Sequence, residues 1–136
     1  MHYFLFLLLS VSLYAESFYI IANQNFPRNS LTKKEIKQIY LDKKRHIFGK
    51  KILALNYTHD NPLRERFEKN ILQKNRKNLE RYWLKAHYKG HRPPKVLKTK
   101  ASMLFFLQKI DTAIGYIDSN LSKVKGIKVL LEVNLP

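Results

Sequence analysis

The sequence predicts an α/β domain in which helices cover a small sheet. After the first fifteen residues, segments rich in β-branched and aromatic residues alternate with segments whose apolar residues recur at helical spacing. Several of the helical segments begin at capping residues. The chain has 136 residues, 45% of them hydrophobic, which is enough for the core of one domain. Because no repeat, low-complexity tract or linker interrupts it, we expect a single three-layer-like domain over residues 16–136.

The first fifteen residues have the features of a secretory signal peptide. They contain no Lys, Arg, Asp or Glu, and residues 3–13 are almost continuously apolar. A membrane-spanning helix needs about 20 such residues, and a buried core segment is usually broken by polar ones. Leu13 and Ala15 take the small-residue positions of a cleavage site before Glu16. We predict a signal peptide over residues 1–15 and a periplasmic or secreted protein; whether the peptide is cleaved or retained as an anchor stays open.

The charge balance narrows the classes of partner. Lys and Arg number 26 against 10 Asp and Glu, a formal net charge of +16. In a cytoplasmic protein this balance would favour nucleic acid, but an exported protein meets anionic lipid, cell-wall polymer or small anions instead. We therefore expect no nucleic-acid partner. The chain has no Cys, which excludes disulfides, thiolate metal sites and cysteine nucleophiles.

The first half of the domain is expected to contain two strands and two helices. S-F-Y-I-I-A-N at 17–23 is typical of a strand, and Thr32 with Glu35 forms a capping-box pattern before the next helix. A basic loop at 42–51 leads to a second strand at 52–57. Pro62 suits the first position of the helix that follows.

The second half is expected to contain two further helices and two strands. One helix runs from about Asn78 to Gly90, and the loop 91–94 with its two prolines cannot be helical. A helix at 99–110 and strands at 113–117 and 127–133 complete the chain. The inward-facing side chains expected on these helices are Leu79, Tyr82, Trp83 and Ala86, with His87 as a further candidate, and then Ala101, Met103, Leu104, Phe105, Phe106 and Leu107.

No motif in the sequence argues for an enzyme or for a cofactor. His87 and His91 have the spacing of a helical zinc pair, but Gly90 between them is expected to end the helix and no third ligand is evident, so no metal site is predicted. Glu65 and Glu68 stand among basic residues and resemble surface ion pairs. Trp83 with its neighbouring tyrosines could stack on bases or sugars, although its helical spacing favours packing in the core.

The turn T-H-D-N-P-L-R at 58–64 is the candidate ligand site. A strand that runs directly into a helix leaves free N–H groups directed at one point, where an anion can bind. Thr58 offers a hydroxyl, His59 and Asn61 flank the helix entrance, and Arg64 adds positive charge. The alternative is that Asp60 or Asn61 merely caps the helix and occupies the same donors.

Several segments, in this order, resemble the periplasmic phosphate-binding proteins of ABC importers, within the type II binding-protein superfamily. The matching segments are F-Y-I-I-A-N-Q-N at 18–25, L-T-K-K-E-I-K-Q-I-Y-L-D-K-K-R at 31–45 and N-P-L-R-E-R-F at 61–67. Further along the chain, Y-W at 82–83, Y-K-G-H-R-P-P at 88–94 and A-I-G-Y-I at 113–117 also match. The resemblance implies one lobe of such a protein, a small phosphate-like anion as ligand, and a membrane transporter, second lobe or dimer partner. It also implies that Asn23 takes part in the site.

Two departures from the family pattern bear on the ligand. Full members have two lobes, and this chain holds residues for about one. Phosphate binders also carry a Ser-Gly-Thr type sequence at the strand–helix turn, where this chain has T-H-D-N-P-L-R. Asp60 matches the family's Asp at this turn, but Pro62 removes one N–H donor. The resemblance therefore implies the fold more strongly than the ligand.

Overall fold

The computed structural model describes residues 17–119 and 124–135. The predicted signal peptide and Glu16 lie outside these residues. The strands are β1 (Ser17–Asn23), β2 (His46–Ile47), β3 (Lys50–Lys51), β4 (Leu53–Tyr57), β5 (Lys95–Leu97), β6 (Ala113–Ile117) and β7 (Ile127–Asn134). The helices are α1 (Lys33–Tyr40), α2 (Pro62–Phe67), α3 (Arg76–Tyr88) and α4 (Lys100–Lys109), and a π-helical segment (Glu68–Leu72) continues α2.

Five strands form one mixed sheet in the order β5–β4–β6–β1–β7. Strand β4 is parallel to both β5 and β6, whereas β1 is antiparallel to both β6 and β7. The carboxyl ends of β4, β5 and β6 therefore lie at one end of the sheet, and the carboxyl end of β1 lies at the other. Strands β2 and β3 form a separate two-stranded hairpin.

Helices cover both faces of the sheet, which confirms the predicted α/β class. Strand β6 is buried along its whole length, as expected for a strand that is covered on both sides. A Cβ on Gly115 would meet Met103 Sδ of α4 at 2.4 Å, so α4 packs against this face. The next residue, Tyr116, points to the other face and stacks on Phe67 of α2, with ring centroids 4.2 Å apart.

Local capping sets the starts of the helices. Thr32 and Glu35 form the predicted capping box, and Thr99 accepts a hydrogen bond from Ser102 N. Helix α3 begins at Arg76, two residues before the predicted start, because the Asn75 side chain accepts from Asn78 N at 2.8 Å. The predicted helix end at Gly90 is close to the observed one, since α3 stops at Tyr88 and Gly90 adopts a left-handed φ of 83°.

Four expectations were wrong in detail. The loop 42–51 contains the β2–β3 hairpin, and β5 was not predicted because three residues carry too little pattern. Ala101 and Phe105 of α4 are exposed, since successive helical residues are 100° apart and a run of apolar residues cannot share one face. His87 is also exposed. Trp83 is half-buried and packs against the core.

Within the described residues, none of the helices has the length and the apolar character that crossing a bilayer requires.

Candidate ligand-binding site

The turn after β4 is held together by its own side chains. The Thr58 hydroxyl donates to Asp60 Oδ1 at 2.5 Å, and Asn61 N donates to the Thr58 carbonyl at 3.0 Å. Asn61 Oδ1 accepts from Leu63 N at 2.8 Å, so Asn61 caps α2 and Pro62 occupies its first turn. The hydroxyl and one helix N–H that were candidates for an anion are therefore already engaged within the protein.

Asp60 places a negative charge on this turn. The hydrogen bond from the Thr58 hydroxyl is the main reason that the pKa of Asp60 lies below its usual value, with a backbone hydrogen bond and the nearby His59 and Arg76 acting in the same direction. The carboxylate is exposed and ionised at neutral pH. A bound anion would have to lie on the side of the turn away from Asp60.

Arg64 is directed back over the end of β4. Its Nη1 donates to the Tyr57 carbonyl at 2.8 Å, and its Nε donates to Glu68 Oε1 at 3.2 Å. The same carboxylate oxygen lies 3.1 Å from Arg76 Nε of α3. Glu68 is thus bracketed by two guanidinium groups from different helices.

Glu68 is buried, so the expectation of a surface ion pair was wrong for this residue. Its relative exposure is 3%, whereas Glu65 on the same helix is exposed as expected. A glutamate is rarely buried unless it is paired, and here two arginines compensate the charge. The second oxygen, Oε2, is buried without a hydrogen-bond partner among the described residues.

A cavity of about 740 Å³ opens beyond the carboxyl end of β4. It lies between the π-helical segment, α3 and the loop that leads into β5. Its wall includes Asn56, His59, Arg64, Arg76, Trp83 and Tyr88. The volume falls in the range of small-molecule sites, roughly 300–1,000 Å³. In open α/β sheets, ligands bind at the carboxyl ends of the strands, which is where this cavity lies.

The floor of the cavity rests on a rigid aromatic layer. Asn56 is buried, and its Oδ1 accepts from Tyr57 N at 2.9 Å and from the Tyr116 hydroxyl. Burial raises the pKa of both Tyr116 and Tyr57 well above the usual value, so both phenols are neutral at physiological pH. The stacking of Tyr116 on Phe67 fixes this layer from below.

The structure brings together five of the six predicted site residues. Thr58, His59, Asp60, Asn61 and Arg64 lie on one connection, as their sequence positions require. Asn23 lies at the opposite end of the sheet, because β1 runs antiparallel to β6. Its Nδ2 donates to the Leu107 carbonyl at 2.7 Å and its Oδ1 accepts from Asn25 N at 2.8 Å, so it stabilises a loop and does not share the site.

Sequence reasoning missed four polar residues of the cavity: Asn56, Glu68, Arg76 and Glu80. A signal existed for the first, a polar residue inside the apolar strand I-L-A-L-N-Y. Glu68 stands four residues after Arg64, but that spacing is equally common on surfaces. No local signal relates Arg76 to Glu68, since the two meet only when α3 folds back.

The two histidines near the end of α3 are engaged by neighbouring polar groups. His91 Nδ1 lies 2.8 Å from the Asp42 carbonyl oxygen and 3.0 Å from Arg45 Nη2. His87 Nδ1 lies 3.2 Å from Arg92 Nη1. In residues 17–119 and 124–135, no group of three or more His, Cys, Asp or Glu side chains could hold a metal ion.

This architecture is found in solved phosphate transport receptors. An ABC-type phosphate transport receptor from Vibrio cholerae matches with a TM-score of 0.63 and 16% identity, over 86% of this chain and 47% of its own. A putative phosphate ABC transporter substrate-binding protein from Clostridium perfringens, solved with bound phosphate, matches with a TM-score of 0.67 and 18% identity, over 84% and 44%. PstS from Borrelia burgdorferi matches with a TM-score of 0.63 and 15% identity, over 84% and 46%. No protein-family model and no curated protein sequence matches the chain.

The chain therefore has the fold that these solved receptors show over about half of their length. More closely, this is the lobe fold of phosphate ABC transporter substrate-binding proteins, as the resemblance implied. The chain spans less than half the length of these solved structures.

Proposed function

We propose that the protein is an exported ligand-binding module that holds a small phosphate-like anion for transport or sensing. The observation that carries this proposal is the cavity at the carboxyl ends of β4 and β5, in a lobe fold shared with phosphate transport receptors. The module works with a second lobe, a dimer partner or a membrane transporter. It is a binding protein and has no catalytic role.

The charges at the cavity support the binding of an anion, but with low affinity. Arg64 and Arg76 line the wall and are fixed by the same buried carboxylate, while Asp60 opposes a ligand at the turn. The cavity of a single lobe is open to water, which weakens each electrostatic contact. We therefore expect phosphate to bind weakly to the isolated chain and more tightly once a partner closes the cavity.

Calorimetry with phosphate and with sulfate at low salt tests this function. Arg64→Ala combined with Asn61→Ala should abolish the heat of binding, but both residues also support the fold. Arg76→Gln should perturb the fold less, because its side chain is 40% exposed and Arg64 still pairs with Glu68. Arg28→Gln is its matched control, since Arg28 is similarly exposed and pairs with Glu35 outside the cavity. A flat titration with the wild-type protein at millimolar phosphate would refute anion binding and leave Asn61 as a helix cap.

Export is a separate element of the proposal. It is supported by the uncharged apolar segment at residues 1–15. Mass spectrometry of the protein from the extracytoplasmic fraction should show a mature chain that starts at Glu16. Recovery of the full-length chain in the cytosol would contradict export.

An alternative function is that of a basic envelope protein without a small ligand, and the net charge of +16 favours it. Such a protein would bind anionic vesicles regardless of the Arg76→Gln variant, and high salt would release it. A nucleic-acid binder is distinguished by the salt dependence of DNA binding, whose slope reports the number of phosphates contacted. We expect only weak retention on DNA.

A further inference from the structure

The cavity wall has an apolar side that inorganic phosphate would not use. Among the described residues, six large hydrophobic side chains are exposed, and three of them line this one cavity: Leu84 (65%), Tyr88 (83%) and Val96 (51%). Leu84 and Tyr88 are one turn apart on α3, so they present the same face of the helix. Exposed apolar groups that cluster in this way mark a ligand groove or an interaction site.

Guanidinium groups line the same cavity near the start of α3, where Arg76 lies eight residues before Leu84, about 12 Å along the helix. Arg76 Nε lies 3.1 Å from Glu68 Oε1, and Arg64 Nε lies 3.2 Å from the same atom. A guanidinium has five N–H donors, so one carboxylate oxygen cannot use those of two arginines. Glu68 itself is buried behind them, and its side chain is only 4% exposed.

The accessible charges at the wall favour an anion over a cation. The two arginines are accessible, whereas Glu80 is the one exposed carboxylate among the lining residues. Glu80 lies one helical turn beyond Arg76 on α3 and partly offsets its charge. Removal of the Glu80 charge should therefore strengthen the attraction for an anion.

We infer that this cavity binds an organic anion with an apolar or aromatic body. Its acidic group contacts Arg76 and Arg64, and its body lies against Leu84 and Val96, whereas Tyr88 stands about 18 Å from Arg76 along α3. The inference rests on the proposed role as a ligand-binding module, but it assigns a different ligand class and adds apolar residues of α3 and β5 to the arginines that the proposed function already uses. The size of the cavity agrees, because about 740 Å³ far exceeds what a lone phosphate fills.

Fluorescence titration of the purified protein with anilinonaphthalene sulfonate, an aromatic sulfonate, tests the inference. We expect saturable binding at one site. Arg76→Gln should weaken it about tenfold, since it removes a charged donor, and Leu84→Ala should weaken it about fivefold. Glu80→Gln should tighten it by about two- to threefold. Glu80 and Leu84 are exposed and Arg76 is half-buried beside Glu68, so thermal unfolding should confirm that each variant is folded.

Two matched controls lie outside the cavity. Phe105→Ala removes an aromatic side chain that is 55% exposed, and Arg28→Gln removes a similarly exposed guanidinium. Neither should change the titration. The neutral dye Nile red should bind less tightly than the sulfonate and should be insensitive to Arg76→Gln. Equal losses in Phe105→Ala and Leu84→Ala, or no loss in Arg76→Gln, would overturn the inference.

Calorimetry with inorganic phosphate on the same variants separates this inference from the proposed function. Sulfonate binding that requires Arg76 and Leu84, without any heat from phosphate, would refute the phosphate-like ligand and support the organic anion. Phosphate binding without sulfonate binding would support the phosphate-like ligand and overturn the organic anion.

Discussion

Arg64 Nε donates a hydrogen bond to Glu68 Oε1 over 3.2 Å, across the junction between α2 and the π-helical segment. Glu68 is nearly inaccessible to solvent, and Arg76 approaches the same oxygen from α3. The carboxylate therefore ties two helices together at the wall of the cavity. A buried ion pair is costly to break because the remaining charges stay desolvated.

Replacement of Glu68 should destabilise the protein. Glu68→Ala should lower the free energy of unfolding by about 2–3 kcal/mol, because it removes the acceptor of two arginines. Urea unfolding followed by circular dichroism measures the change. Glu65→Ala is the control on the same helix, and since Glu65 is exposed its effect should stay within about 0.5 kcal/mol. Equal stability of the two variants would show that the buried ion pair contributes nothing.

Loss of the helix cap at Asn61 should have a smaller effect. Asn61→Ala removes the acceptor for Leu63 N and should lower the free energy of unfolding by about 1 kcal/mol. Asn61→Asp keeps an acceptor and should be close to wild type. Thermal unfolding of the three proteins makes the comparison. A destabilised Asn61→Asp variant would mean that the cap geometry is not what stabilises the turn.

A side chain at Gly115 should strain the contact between β6 and α4. Its Cβ would lie 2.4 Å from Met103 Sδ, so the methionine must move in a fully buried site. Gly115→Ala should lower the free energy of unfolding by about 1–3 kcal/mol. In a double-mutant cycle measured by urea unfolding, Met103→Ala should cost less in the Gly115→Ala background than in the wild type. Strict additivity would contradict the proposed contact.

The low pKa of Asp60 should depend on the Thr58 hydroxyl. Thr58→Val removes the main hydrogen bond that lowers it, so the pKa of Asp60 should rise towards the usual value for an aspartate. A carboxyl with a depressed pKa stabilises the fold above its unfolded pKa of about 3.9, and this contribution is lost as the pH falls through the folded value. The variant should lose part of this pH dependence. NMR titration of the Asp60 carboxyl carbon measures the pKa of Asp60 in the wild type and in Thr58→Val. An unchanged pKa in the variant would refute the role of the hydroxyl.

The buried tyrosines should make the protein sensitive to alkali. Burial raises the pKa of Tyr40, Tyr57 and Tyr116 above the usual value. Their contribution to stability is fully present below the unfolded pKa of about 10 and declines as the pH rises above it, because the unfolded chain ionises first. Urea unfolding at increasing pH should show this decline. Tyr116→Phe should reduce it, and a variant with an unchanged alkaline profile would contradict the assignment.

Local interactions explain why much of the fold was predictable from sequence. The cap at Thr32 with Glu35 and the cap at Thr99 act within one helical turn, so their residues lie close in sequence. Strand β6 is apolar along its length because both its faces are covered, and the run A-I-G-Y-I shows this directly. The connection from β4 into α2 was also predictable, since Asn61 and Pro62 suit the start of a helix.

The sequence by itself therefore determined the α/β class, most helix and strand positions, and the residues of the turn at 58–64. Only the tertiary structure decided where those elements meet. The antiparallel direction of β1 places Asn23 at the far end of the sheet, the return of α3 brings Arg76 to Glu68, and pairing with β4 makes a strand of Lys95–Leu97. The physical reason is that capping and periodicity act over a few residues, whereas strand direction depends on partners that are distant in sequence, and the pairing of Arg76 with Glu68 depends on how the chain turns between the π-helical segment and α3.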